Sequence, residues 1–302
     1  MSSITSVRAP YLEETFIELY MNGLYTGLFF ATIYSMLFKK PRRRTSYGLL
    51  VAITLMYILS TMHIICRWIL LKNAFINHGD TALSTSIYLT QSPLWLVVLG
   101  AVVVTTNTLI ADCVLIWRCW TIWNHSWIVV TLPILCTLSG AALGFKSVQE
   151  QAAFIINPNL NRNTFVDFAT PYFSLSLATT CLATLLIVLR IVMMTSRKTR
   201  ESNGYNWVIE IVVESALLYS VAMAVFLPFL NNGSFSDAYP QAVVTQMTGL
   251  APTLIVARVT FGLARPDETW QGTISTIQLR NLGTAQHANT VGLDGILDGS
   301  EI

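Results

Sequence analysis

The stretch 47–71, YGLLVAITLMYILSTMHIICRWILL, constrains this chain more than any motif in it. A helix rises 1.5 Å per residue, so about 20 apolar residues cross roughly 30 Å of hydrocarbon. Six more blocks of that kind follow the same rule, at 16–38, 92–120, 127–145, 168–194, 207–230 and 242–263. The block 127–145 contains Pro133 and the small-residue run SGAALG, and 207–230 carries Glu210 and Glu214. Both still reach spanning length. The pattern predicts an all-α chain, a seven-transmembrane-helix bundle. Composition agrees, with 53% hydrophobic and 11% charged residues, against about 25% charged in soluble domains. Mean hydropathy is +0.56.

Orientation is read from lysine and arginine, which accumulate on the cytosolic side. The run KKPRRR places Lys39, Lys40, Arg42, Arg43 and Arg44 in one connection, and Arg197, Lys198 and Arg200 lie in another on the same side. Arg118 and Arg265 flank that side too. The opposite connections hold Lys72, Lys146 and Arg162 among acidic neighbours. The expectation is an exoplasmic N-terminus and a cytosolic C-terminus: an exoplasmic segment 1–15, a membrane domain 16–263, and a largely disordered cytosolic tail 264–302. The N-terminus carries Glu13, Glu14 and Glu18 where a secretory leader would be basic, so the first block is expected to act as a signal anchor. The run 39–44 is a topology determinant and a candidate contact for anionic lipid. Trp117, Trp120, Trp123 and Trp127 read as an interfacial aromatic belt. Asn232 in NGS is a candidate N-glycosylation site; Asn124 in NHS falls on the cytosolic side and is expected to stay unmodified.

Many chemistries are excluded. The five cysteines lie within or beside apolar blocks, with no pair in a connection, so no disulfide framework is expected. They read as packing residues; Cys119, near a membrane face, is a candidate for lipidation. The four histidines, His63, His78, His125 and His287, form no metal-ligating cluster, and neither a phosphate-binding loop nor a GxSxG elbow occurs. No cofactor, no metal and no nucleic-acid partner are expected. The partner is the bilayer itself, in the plasma membrane or an endomembrane.

Ionisable residues inside a bilayer are costly and mark functional or specifically packed positions. Asp112 lies six residues before Arg118, roughly 9 Å deeper along a helix. Glu210 and Glu214 are four apart and share a helix face. Arg190 and Arg258 fall at a similar depth. Asp112, Glu210 and Glu214 are thus expected to face Arg118, Arg190 and Arg258 in one network, structural or switching. In the other half, Tyr57, His63, Arg67 and Asn107 are candidate ligand contacts; His63 and Arg67 share a face, and Arg67 with Lys72 could greet an acidic headgroup. Tyr88, Trp95, Tyr172 and Tyr219 are candidate walls of an amphipathic pocket.

The count and orientation resemble seven-helix receptors, although Asp112 and Arg118 are six residues apart and point about 120° away from one another. No lysine lies in the last block, so a retinal protein is not implied. Three segments carry a closer resemblance: IADCVLIWRCWTIW, VESALLYS and QMTGLAPTLIVARVTFG. Through them the chain resembles the multi-pass membrane proteins of mushroom-forming fungi. That resemblance implies a membrane bundle and brings no reaction or ligand with it. The functional expectation is a receptor-like or sensory protein for a small or lipophilic ligand. The alternative is a membrane-embedded enzyme or accessory protein acting on an apolar secondary metabolite. A carrier comes third.

Overall fold

The computed structural model describes residues 2–38, 47–157, 162–196, 203–232 and 237–262. The chain divides into two compact units, Met1–Thr260 and Phe261–Ile302. The helical bundle belongs to the first. The described residues form eight α-helices: α1 Ser2–Phe38, α2 Tyr47–Lys72, α3 Ala82–Thr90, α4 Leu94–Ile122, α5 Trp127–Ile156, α6 Arg162–Ser196, α7 Asn203–Asn232 and α8 Ala238–Gly262. A π-helical turn, Asn73–Asn77, extends α2.

Five stretches are long and apolar enough to cross a membrane: Tyr47–Asn77, Leu94–Ile122, Trp127–Ile156, Thr164–Met193 and Val213–Asn231. Their most apolar windows have mean hydropathies between 1.8 and 2.2. The protein is therefore a multi-pass, largely helical membrane protein, and the expectation of seven spans is corrected to five among the described residues. The difference lies in α1 and α8. α1 carries Arg8, Glu13, Glu14, Glu18 and Asn22, and α8 carries Gln241, Thr245, Gln246, Thr248, Thr253 and Arg258. These polar residues dilute the apolar composition that a span requires.

The same residues show what α1 and α8 do instead. Along α1, Glu14, Glu18, Asn22, Tyr25, Phe29 and Thr32 recur every three or four positions and are buried. The opposite stripe, with Phe16, Tyr20, Phe30 and Tyr34, is exposed. This is the reverse of a soluble amphipathic helix, which turns its polar face outward. α8 is buried along most of its described length, from Ala242 to Ala257. Protein encloses it: Ile255 packs with Leu115 and Ile187, Val244 with Met223 and Phe226, and Val256 with Tyr25 and Ile53. Helix α8 meets hydroxyl and amide partners from its neighbours, so its polar side chains are tolerated.

Close approach depends on two glycines. A Cβ on Gly249 of α8 would sit 2.8 Å from Cε1 of Tyr25, and one on Gly144 of α5 would sit 3.0 Å from both Thr105 and the Tyr172 ring. Small residues at such crossings let helices approach where lipid supplies no hydrophobic drive.

The connections are more ordered than their composition suggests. The segment after α2 folds into α3, whose N-terminus is closed by a capping box between Thr81 and Ser84. Leu89 of α3 then packs with Ala74, Cys66, Leu70 and Leu96. α5 runs on to Ile156, stabilised on its surface by Lys146 and Glu150 one turn apart at 2.8 Å. The α4–α5 turn places Asn124 and His125 at φ 52° and 66°, in the left-handed region where Asn and His are enriched. Trp123 Nε1 donates to the Leu186 carbonyl at 3.0 Å, and Trp120 packs against His125 and Trp127. Part of the tryptophan belt thus fixes this turn to α6. The run 39–44 and the tail 264–302 lie outside the described residues.

Candidate binding site

A cavity of about 400 Å³ opens between the helices at the end marked by α3 and the start of α8. All eight helices contribute to its wall: Glu14 of α1, Arg67 of α2, Leu89 of α3, Thr105 of α4, Gln151 of α5, Tyr172 of α6, Phe226 of α7 and Gln241 of α8. The body of the wall is apolar, with Phe154, Phe165, Phe173 and Leu230. Glu14, His63 and Arg67 place charged and titratable groups on the α1–α2 side. That combination, a largely apolar concavity with a few convergent polar groups, characterises small-molecule sites, and the volume falls in their range.

The polar end is built from two helix faces. On α2, Ser60, His63 and Ile64, Arg67 and Leu70 point inward at helical spacing. On α1, Glu14 and Glu18 stand four apart and point toward them. His63 Nδ1 lies 2.5 Å from Glu18 Oε1. A carboxylate only accepts, so Nδ1 holds the hydrogen and Nε2 is left toward Gly100 and the cavity. Arg67 is ion-paired with Glu14, and its Nε lies 3.9 Å from Glu18 Oε2. Its guanidinium also faces the Tyr11 ring at 5.9 Å. Gln246 of α8 donates to Glu18 at 3.0 Å and accepts from Asn22 at 3.3 Å. The result is a continuous polar chain, Glu14–Arg67–Glu18–His63 with Gln246 and Asn22, tying α1, α2 and α8 together. Asp237 adds a carboxylate to the wall. Because Arg67 is already engaged by Glu14, the polar end is richer in acids than in free positive charge.

At the start of α8, Tyr239 donates to Glu13 at 2.5 Å, and this hydrogen bond holds the Tyr239 phenol above its ordinary range.

The other expected contacts sit elsewhere. Tyr57 stacks on Phe29 at 4.1 Å and touches Tyr25 edge-on at 5.6 Å, its hydroxyl 3.2 Å from Thr26. It belongs to the α1–α2 core. Asn107 is buried and donates to Ser60 at 3.5 Å, joining α4 to α2. Neither lines the cavity.

The six-residue ionic network resolves into separate parts. Glu214 of α7 and Arg258 of α8 form an ion pair. Asp112 is buried and accepts from Ser176 at 3.2 Å, whose oxygen lies 3.3 Å from the Tyr219 hydroxyl. Arg190 stacks over Trp123 at 5.1 Å. Among the described residues no ion pair joins Asp112, Arg118 or Arg190 to an opposite charge. The side chains of Glu210 and Asn232 lie outside the described residues. No group of three or more His, Cys, Asp or Glu side chains is placed to hold a metal ion among the described residues.

The acids of α1 that meet His63 and Arg67 at the polar end are the ones sequence reasoning did not place there. Their signal was present: Glu14 and Glu18 share a face at i,i+4, as do His63 and Arg67 on the next helix. Comparison of the chain with protein-family profiles, with curated proteins and with solved structures finds no match.

Proposed function

We propose that the protein is a receptor-like or sensory membrane protein that binds a small amphipathic ligand in the 400 Å³ cavity. The observation that carries this reading is a cavity walled by every described helix, with apolar sides and a polar end at His63, Arg67 and Glu14. A ligand there touches all the helices at once, so it has differential contacts with which to shift their packing. Its apolar body would lie against Phe154, Phe165 and Phe173. Its polar end would meet Glu14 and His63. The Glu214–Arg258 pair, which ties α7 to α8, is the element such a shift would strain. The reading is tested by extracting purified protein in nanodiscs and identifying small molecules that co-purify. Ser147→Phe, which fills the cavity, should remove the compound while the protein still folds. An extract identical for both proteins would refute the assignment to this cavity.

One observation favours a second reading, a membrane-embedded enzyme or accessory protein acting on an apolar metabolite. Glu18 orients His63, and His63 lines the cavity, an arrangement suited to a general base. Substrate turnover lost in both His63→Gln and Glu18→Gln, with binding retained, would select it. The finer family reading, a multi-pass protein of mushroom-forming fungi, rests on the three segments that contain Asp112, Arg118, Glu214 and Arg258. An anionic-lipid contact at Lys39, Lys40, Arg42, Arg43 and Arg44 is supported by their charge density. A plasma-membrane or endomembrane location goes with either role.

A further inference from the structure

The charges around the large cavity specify the head group it takes, given that it is the binding site proposed above. Two carboxylates line it, Glu14 of α1 and Asp237 just before α8. One guanidinium lines it, that of Arg67 on α2, and it is already ion-paired with Glu14. Asp237 lies within electrostatic reach of the same guanidinium. A third carboxylate, Glu18, stands behind the wall and holds His63, which lines it. Arg8 of α1 lies over the Phe75 ring at 5.2 Å and does not line the cavity.

The balance has one sign wherever the Glu18–His63 proton sits. With His63 neutral, three acids stand against one guanidinium; with His63 protonated, they stand against two cations. The polar end is negative in both cases, and uncompensated charge beside an apolar wall is costly. Hydrogen-bonding capacity points the same way. Glu14 meets Arg67 through Oε1, and a carboxylate accepts on both oxygens. His63 Nδ1 holds its hydrogen against Glu18, so Nε2, on the cavity side, accepts. The strongest donor of this end, the Arg67 guanidinium, is held between Glu14 and Glu18. An incoming group therefore meets acceptors and negative charge.

A protonated amine satisfies both demands. Its N–H groups donate to the Glu14 carboxylate and to His63 Nε2, and its charge offsets the excess of acid. A carboxylate ligand would enter beside Glu14, Glu18 and Asp237 and would have to compete with Glu14 for Arg67. An alcohol would leave the charge excess as it stands. We propose that the cavity takes a lipophilic amine, bound as its ammonium ion. Glu14 and His63 receive the head, Asp237 adds attraction from the wall, and Phe154, Phe165 and Phe173 face the apolar body.

The test uses the full chain in nanodiscs of uncharged lipid at neutral pH, with three radiolabelled probes that share one apolar body: phenylhexylamine, phenylhexanol and phenylhexanoate. Binding at the site is the saturable part that Ser147→Phe removes. The amine is expected to bind at least about tenfold tighter than the alcohol, the weight of one charge-assisted hydrogen bond, and the carboxylate weakest of the three. Glu14→Gln should narrow the gap between amine and alcohol several-fold. Asp237→Asn, which leaves the α1–α2 contacts in place, should weaken the amine and leave the alcohol unchanged. An alcohol or a carboxylate that binds as tightly as the amine, in a component that Ser147→Phe removes, overturns the amine head while the cavity stands as the site. If no probe shows a component sensitive to Ser147→Phe, the cavity reading falls and the amine with it. An Asp237→Asn protein with an unaltered ratio of amine to alcohol affinity also overturns the proposal, even where Glu14→Gln fails to fold.

Discussion

Glu18 on α1 meets Nδ1 of His63 on α2 at 2.5 Å, beside the ion pair of Glu14 with Arg67. Two acid–base contacts, each between consecutive helices, thus close the polar end of the cavity. Removing one member of a buried pair leaves its partner uncompensated and costs about 3–5 kcal/mol, whereas removing both is far cheaper. Arg67→Leu is expected to lower stability by about that amount. Glu14→Leu added to it should restore part of the loss, as a double-mutant cycle on thermal unfolding would reveal. Strict additivity of the two substitutions would contradict a direct pairing.

The contact between Gly249 and Tyr25 makes a second expectation. Tyr25 is fully buried, and its hydroxyl accepts from Thr253 at 3.3 Å, so the ring has little room to retreat. Gly249→Ala should destabilise the protein by about 1–3 kcal/mol through overpacking. Tyr25→Leu in the same chain should recover most of that loss by opening space on α1. Chemical or thermal unfolding of the three variants decides it. An unaltered Gly249→Ala protein would mean that α1 and α8 lie further apart.

These residues also mark the limits of what the sequence made legible. The five spanning stretches were readable because lipid demands long apolar runs, and α2, α4, α5, α6 and α7 supply them. The roles of α1 and α8 were not, because a helix enclosed by protein obeys hydrogen-bond satisfaction instead of hydropathy. Gln246 is an interruption in a span until Glu18 and Asn22 are seen beside it. α3 was missed because ALSTSIYLT is short and rich in β-branched and hydroxyl residues, which read as a loop. That His63 and Arg67 share a helix face was legible from their spacing, and both line the cavity, while the place of Glu14 and Glu18 needed the pairing of α1 with α2. Asp112 stands out in the sequence as an acid in an apolar run, but its partners were sought among arginines, where Ser176 is the one it meets. Ser176 carries no distinctive pattern, since hydroxyls are common in membrane helices.

The Tyr239–Glu13 hydrogen bond has a pH signature. A phenol ordinarily ionises near pH 10, and Glu13 holds that of Tyr239 higher. The folded pKa is above the unfolded one, so the stabilisation is complete below about pH 10 and is lost as pH rises through the folded value. The ultraviolet titration of wild type minus Tyr239→Phe should isolate a phenol that ionises late. In Glu13→Gln the same difference titration should move down toward the ordinary range. Coincident curves in the two backgrounds would exclude the contact.

Five stretches long and apolar enough to cross, among the described residues, predict which segments share a side of the membrane, whatever the absolute orientation. If Tyr47–Asn77 crosses once, Leu94–Ile122 returns, and the alternation continues through Val213–Asn231. Tyr47 and His125 should therefore lie on one side, with Asp80, Asn157 and Asn231 on the other. Single cysteines at these positions, in a chain whose five natural cysteines are replaced, can be labelled with a membrane-impermeant maleimide on sealed cells or vesicles. Each face should label only its own set, and permeabilisation should release the other. His125→Cys and Asp80→Cys labelling from the same side would mean that α4 does not cross. Asn157→Cys labelling with His125→Cys would remove α5 from the count. Because α3 lies between the stretches Tyr47–Asn77 and Leu94–Ile122 without crossing, Asp80→Cys and Gln91→Cys, on either side of it, should always label together, which separates a re-entrant segment from a span.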